Sequence, residues 1–177
     1  LMKIHNVHER RFARDIRDLG IFIDSLAGPA DKLWPKDRWP AMVLDRGLTP
    51  GSRGGHGPVR YRVDEYSPGK RVSFTFESHG LTRELDGRHV FEVLECRSGP
   101  VLRHTLDADC AWPAWLKWGL AIRPLHDALL EDALDGVERA LGLKKNGPGN
   151  LGPYVRLLRR LAAAREKKTA EGGEKQS

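Results

Sequence analysis

Residues 121–141 read AIRPLHDALLEDALDGVERAL, and this stretch decides the fold. Stepped at about 100° per residue, Ile122, His126, Leu129, Leu130, Ala133, Val137 and Ala140 fall on one arc. Arg123, Asp127, Glu131, Asp135, Glu138 and Arg139 fall on the other, so the acids of this helix are expected on its solvent face. The pattern predicts one amphipathic helix with His126 at the centre of its apolar arc. A long helix that closes a mostly antiparallel sheet buries a whole face, which either packs solid or encloses a cavity. A titratable side chain on that face points to a cavity.

Upstream lies strand-like sequence. Val59, Tyr61 and Val63 alternate with Arg60, Arg62 and Asp64, and Val72, Phe74 and Phe76 alternate with Ser73, Thr75 and Glu77. Ser67-Pro68-Gly69 between them has turn chemistry. His89, Phe91 and Val93 then alternate with Arg88, Val90 and Glu92. Leu102, His104 and Leu106 alternate with Arg103 and Thr105. A simple hairpin closed at Arg97-Ser98-Gly99-Pro100 sets Phe91 opposite His104 and His89 near Leu106. Both histidines then lie on the more apolar face, toward the closing helix. Residues 3–12 read as a first strand. Residues 14–27 read as a helix carrying Ile16, Leu19, Ile23 and Leu26, and a short strand is expected around 42–47. Together these give an α+β pattern.

The 177 residues suffice for one domain with a core, and the composition, 40% hydrophobic and 31% charged, is that of a soluble globular protein. No apolar run approaches a membrane span of about 20 residues, and the N-terminal residues lack the apolar segment of a secretory signal. Cys96 and Cys110 are isolated and read as reduced thiols, so a cytoplasmic location is expected. The net charge of +6 is not spread over the chain. Residues 1–142 are neutral; nine Lys and Arg against three Glu in residues 143–177 carry the whole excess. A basic balance therefore gives no reason to assign nucleic-acid binding to the folded part.

The order of elements resembles the START-like, or Bet v 1-like, helix-grip superfamily, and within it the bacterial polyketide cyclase/dehydrase (SRPBCC) branch. The residues that carry the resemblance are Gly54-Gly55-His56-Gly57-Pro58-Val59-Arg60-Tyr61, Tyr66-Ser67-Pro68-Gly69-Lys70-Arg71-Val72-Ser73-Phe74, the strand His89–Val93, and Pro124-Leu125-His126-Asp127-Ala128-Leu129-Leu130-Glu131-Asp132. It implies a curved antiparallel sheet wrapped around a long C-terminal helix, with an apolar ligand held between them. No catalytic motif is shared across the superfamily. On this reading residues 2–142 form a helix-grip ligand-binding domain and 143–177 a basic linker and flexible tail. Within that tail, residues 153–165 have the pattern of a short helix.

His126 and His104 are the candidate catalytic residues, each able to serve as a base toward an enolisable carbonyl or simply to be a hydrogen-bonded core histidine. Tyr61 and the more peripheral His89 are further polar handles. Phe74, Phe76, Phe91, Leu102, Ile122 and Leu129 are expected to line the space, with Val72, Val93 and Leu106 beside them. Trp115 and Trp118, with Trp112, form either the mouth of this space or a packed cap, and Trp34 and Trp39 are placed on the opposite rim. The Gly51–Pro58 run reads as a loop that turns tightly beside its neighbour; it lacks GK[ST] and is followed by a strand, against a phosphate site. His56 within it is a surface residue or a hydrogen-bonded strut. No metal set and no cofactor motif is legible: HExxH and paired CxxC are absent, and His5 and His8 point to opposite faces of a strand.

Three functions fit these residues. One is binding of a small hydrophobic molecule between sheet and helix. Another is a cyclase or dehydratase, a lyase-type enzyme acting on a hydrophobic carbonyl substrate. The third is a partner- or nucleic-acid-binding module acting through the basic tail.

Overall fold

The structure is a computed structural model that describes residues 1–143 and 150–173. Residues 144–149 of the expected linker, and the last four residues of the tail, lie outside the described set.

Seven antiparallel strands form one curved sheet in the order β1-β7-β6-β5-β4-β3-β2. They are β1 (Met2–Arg11), β2 (Val43–Leu44), β3 (Arg53–His56), β4 (Val59–Ser67), β5 (Arg71–Phe76), β6 (Leu85–Leu94) and β7 (Val101–Cys110). The first strand lies beside the last, so β1 and β7 meet across a hundred residues of chain. The β6–β7 hairpin has the expected register, with His89 opposite Leu106 and Phe91 opposite His104. Because side chains alternate along a strand, this one register sends His89, Phe91, Leu102, His104 and Leu106 to the same face, where all are buried.

Helix α1 (Ile16–Ser25) begins where the Asp15 carboxylate accepts from the Arg17 N–H, and it buries Leu19, Phe22 and Ile23. Gly20 lets it approach the β4–β5 turn: a Cβ there would stand 2.7 Å from Gly69 O. The glycine run is a strand and not the loop expected from its composition. Gly54 of β3 sits so close to β2 that a Cβ would lie 1.9 Å from Val43 O.

The closing helix is longer than its periodicity suggested. Helix α2 (Trp112–Lys117) runs through a π-helical turn (Trp118–Ile122) into α3 (Arg123–Ala140). Pro124 has no N–H for the carbonyl four residues back, and that carbonyl, Leu120 O, accepts the Tyr154 hydroxyl instead. Leu129, Leu130, Ala133 and Val137 face the sheet, whereas Ala140 is exposed.

The acids of α3 are not all on its solvent face. Asp132 and Asp135 are buried. Arg38 Nη1 (2.6 Å) and Trp39 Nε1 (2.8 Å) donate to Asp132. Arg10 of β1 donates to Asp135, Glu131 and Glu138. The helix therefore has two contact flanks, one apolar on the sheet and one acidic against β1. Helical periodicity cannot see the second, because its partners lie more than 90 residues away.

The short helix expected at 153–165 is α4 (Pro153–Gly173). Val155 packs on the main core, and the Arg159 guanidinium lies 4.6 Å from the Trp39 ring centroid while donating to Arg38 O. One of the tail's cations is thus turned inward onto the domain.

Candidate functional site

Five of the seven histidines converge on the concave face. The main apolar cluster runs from Phe12 and α1 through Tyr61, Phe74, Phe91 and Leu102 to Leu129–Val137. A smaller one gathers Ile4, Leu106, Ala108, Cys110, Ala114 and Trp118, with Phe76, Leu85, Trp115 and Ile122 around it. The histidine rings bridge the two.

The row is continuous. His56 of β3 packs on Trp34 (4.6 Å between centroids) and its Nδ1 lies 3.1 Å from the Tyr61 hydroxyl. Of the two roles open to His56, this is the hydrogen-bonded strut. The Tyr61 ring meets His89 edge-on at 4.8 Å, and His89 is sandwiched by Phe74 (4.7 Å) and Phe76 (5.3 Å). His104 follows, with Nε2 at 3.3 Å from His89 Nδ1 and Phe91 edge-on at 4.5 Å. His126 comes next, 5.1 Å from His104 and 5.5 Å from Trp118, and then His8, 6.1 Å from His126. At this end the row reaches charge: His8 Nε2 is 2.9 Å from Asp127 Oδ1 and His8 Nδ1 is 3.0 Å from Glu131 Oε1.

The His89–His104 contact has a consequence independent of tautomer. One ring donates and the other accepts, so the far nitrogens, His89 Nε2 and His104 Nδ1, comprise one donor and one acceptor. Both are buried without a partner, as is His126 Nδ1. Each such group costs on the order of 1–3 kcal/mol. Burial pushes the His89 and His104 imidazoles well below the usual histidine range, and that of His56 down to about 3. Burial also lowers His126, against the opposing pull of Asp127. These rings are neutral at physiological pH. Burial opposes charge on Asp127, but the contacts of His8 and Asn6 with its Oδ1, with His126 close by, outweigh it and keep the carboxylate ionised.

The expected site residues gather only in part as an open lining. Tyr61, Phe74, Phe91, Leu102 and Leu129 are buried and pack on one another in the main cluster. Phe76, Trp115, Trp118 and Ile122 surround the smaller one. Much of the expected space is therefore filled by the protein's own rings. Two shallow depressions, about 270 and 260 Å³, lie elsewhere, one beside Arg156 and Leu157 of α4 and one between Ala27 and Val43. Trp112 is exposed and stacks on Trp115 at 5.8 Å. Trp34 and Trp39 are core residues and not a rim.

No sequence pattern joins His8, Asn6 and Asp127; His5, on the other face of β1, points outward and pairs with Asp107. The available signal was the alternation Ile4, Asn6, His8, Arg10, which gives β1 a polar inner edge.

No protein-family model and no curated protein matches this chain. Solved structures do. A solution structure of a protein from Thermobifida fusca superposes with a TM-score of 0.56 at 18% identity, over 84% of this chain and 99% of that one. CalU16 from Micromonospora echinospora gives 0.53 at 14% identity, over 94% and 86%. Norcoclaurine synthase from Thalictrum flavum, solved with dopamine and hydroxybenzaldehyde, gives 0.57 at 11% identity, over 82% and 90%. The likeness shows the fold: a curved antiparallel sheet gripping a long helix, the α+β helix-grip architecture. No helix among the described residues is long and apolar enough to cross a membrane.

Proposed function

We propose that the protein binds a small, largely hydrophobic molecule with one hydrogen-bonding group between the sheet and the α2–α3 helix. The observation that carries this reading is the buried, neutral His89–His104 pair with its unpartnered Nε2 and Nδ1. A carbonyl, phenol or carboxylic acid would meet one or both nitrogens. Phe76, Leu106, Trp118 and Ile122 would supply apolar contact, at about 25 cal/mol per Å² buried. Room would come from the segment 112–122, whose helix is interrupted by the π turn; such turns are frequent at functional sites.

The first test is to purify the full chain gently, extract it with solvent and identify retained small molecules by mass spectrometry. Titrations with hydroxybenzaldehyde and with dopamine would follow the histidine ring signals by NMR. A recurring compound absent from a His104→Phe variant, or shifts centred on His89 and His104, supports the reading. No retained compound and no shift with either probe overturns it.

A cyclase or dehydratase reading has its own support. A general base must be unprotonated at working pH, and burial keeps His104 and His126 in that form. One neutral imidazole would take a proton from the carbon next to a carbonyl, while a neighbouring ring N–H would hold the enolate oxygen. Proton exchange at that carbon, lost in His126→Ala with binding retained, is the result this reading requires.

A further inference from the structure

We propose that His8, His126 and Asp127 form a binding site for one divalent first-row transition-metal ion of the Zn²⁺ type, where β1 meets the start of α3. The inference does not rest on the ligand reading, which uses the His89–His104 pair.

The three side chains offer ligand atoms that all lie within 4.8 Å of one another. His8 Nε2 is 2.9 Å and His126 Nδ1 4.0 Å from Asp127 Oδ1. Around a tetrahedral ion with bonds of about 2.0–2.1 Å, ligand atoms stand about 3.3 Å apart, so both separations from Asp127 Oδ1 lie within about 0.7 Å of that spacing. Two imidazoles and one carboxylate suit zinc, cobalt, nickel or ferrous iron better than magnesium or calcium.

His8 supplies the first argument for a cation. Its ring lies between two carboxylates, Glu131 at Nδ1 and Asp127 at Nε2. A neutral imidazole has one N–H, so one nitrogen must turn a lone pair toward a carboxylate oxygen. Either a second proton or a metal ion relieves that repulsion. The neighbours favour the metal. His126 Nδ1 and Asn6 Oδ1 are buried and unpartnered, and Asn6, only 7% exposed, reaches Asp127 Oδ1 through its Nδ2 at 2.9 Å. A proton on His8 satisfies neither. An ion at Asp127 takes the lone pair of His126 Nδ1, and water on that ion can donate to Asn6 Oδ1.

The surroundings match what metal-binding histidines require. Glu131 would accept the Nδ1–H of His8 and leave Nε2 free to ligate, the usual outer carboxylate of such a site. Arg10 holds Glu131 at 2.7 Å, and Arg123 lies 3.5 Å from the second Asp127 oxygen. The Asp127 side chain is 36% exposed, so the ion would keep positions open to solvent, as three-ligand catalytic and binding sites do.

The test uses the full chain, stripped with chelator and titrated with Co²⁺ and Zn²⁺ by calorimetry and visible absorption. NMR of the histidine rings runs alongside. One ion per chain is expected, with responses at His8 and His126 and none at His5. Asp127→Asn should weaken Zn²⁺ binding by at least about tenfold, and the outer Glu131→Gln by about 10–100-fold. His5→Gln should leave it unchanged. The inference is overturned by no stoichiometric uptake, by unchanged affinity in both variants, or by NMR showing His8 doubly protonated and insensitive to either ion. The wild-type NMR and Glu131→Gln decide the matter if Asp127→Asn does not fold. Loss of Zn²⁺ binding in Glu131→Gln with retention of any extracted ligand separates this site from the ligand reading.

Discussion

His104 Nε2 stands 3.3 Å from His89 Nδ1, and each ring is only 4% exposed. Two neutral imidazoles share one hydrogen bond in the core and leave their outer nitrogens without partners. Removing one ring orphans the remaining partner nitrogen as well. Removing both removes the polar demand altogether. His104→Phe alone is expected to destabilise the fold by about 1–3 kcal/mol, whereas His89→Phe/His104→Phe together should be close to neutral or stabilising. Urea denaturation of the two single variants and the double variant measures this. Additive losses would contradict the account.

The same rings set a pH dependence. His56, His89, His104 and His126 have folded pKa values below their unfolded value of about 6.5. Below that value the unfolded chain binds protons that the native protein refuses, so stability falls with falling pH. It is fully present above about pH 7 and is lost progressively below about 6.5, for His56 down to about 3. Each fully buried ring contributes a slope of up to about 1.4 kcal/mol per pH unit. Denaturation between pH 5 and 8 should show a dependence steeper than one proton, reduced in His104→Phe. A flat profile would mean the rings are hydrated or already charged.

Asp132 closes a separate polar contact, receiving Arg38 and Trp39 in the flank between α3 and the segment before β2. Asp132→Ala removes the acceptor of the buried Trp39 N–H and one acceptor of the Arg38 guanidinium and is expected to cost about 1–3 kcal/mol. Asp132→Asn, which keeps an acceptor for Trp39, should cost less. Chemical denaturation followed by tryptophan fluorescence reports both, and equal losses would place the effect in packing.

Gly54→Ala tests the glycine strand. A methyl group there overlaps Val43 O, backbone that cannot turn aside. A loss of about 2–3 kcal/mol is expected, with amide exchange rising in β2 and β3 before the rest of the sheet. An unperturbed Gly54→Ala spectrum would show that β2 is not held where the sheet order puts it.

Much of the architecture was legible because it depends on local periodicity. Alternation of large and charged residues defined β4 to β7, and turn chemistry at Ser98-Gly99-Pro100 set the register that puts His104 opposite Phe91. The 3.6-residue repeat found α3 and the inward position of His126. Gly54 and Gly55 misled, since glycine-rich sequence reads as loop unless one knows that two strands approach from either side.

By itself the sequence determined an α+β chain with one histidine on the apolar face of a closing helix, two more on the sheet face toward it, and a basic excess confined to residues 143–177. Only the tertiary structure decided that this face is largely filled by rings, that His56 ties to Tyr61, and that β1 lies against β7 and α3. The reason is separation along the chain. His8 and Asp127 meet across 119 residues, and Asn6 and Asp127 across 121, so no repeat or spacing brings them together. Strand order alone does that, by carrying the first strand to the edge of the sheet where α3 begins.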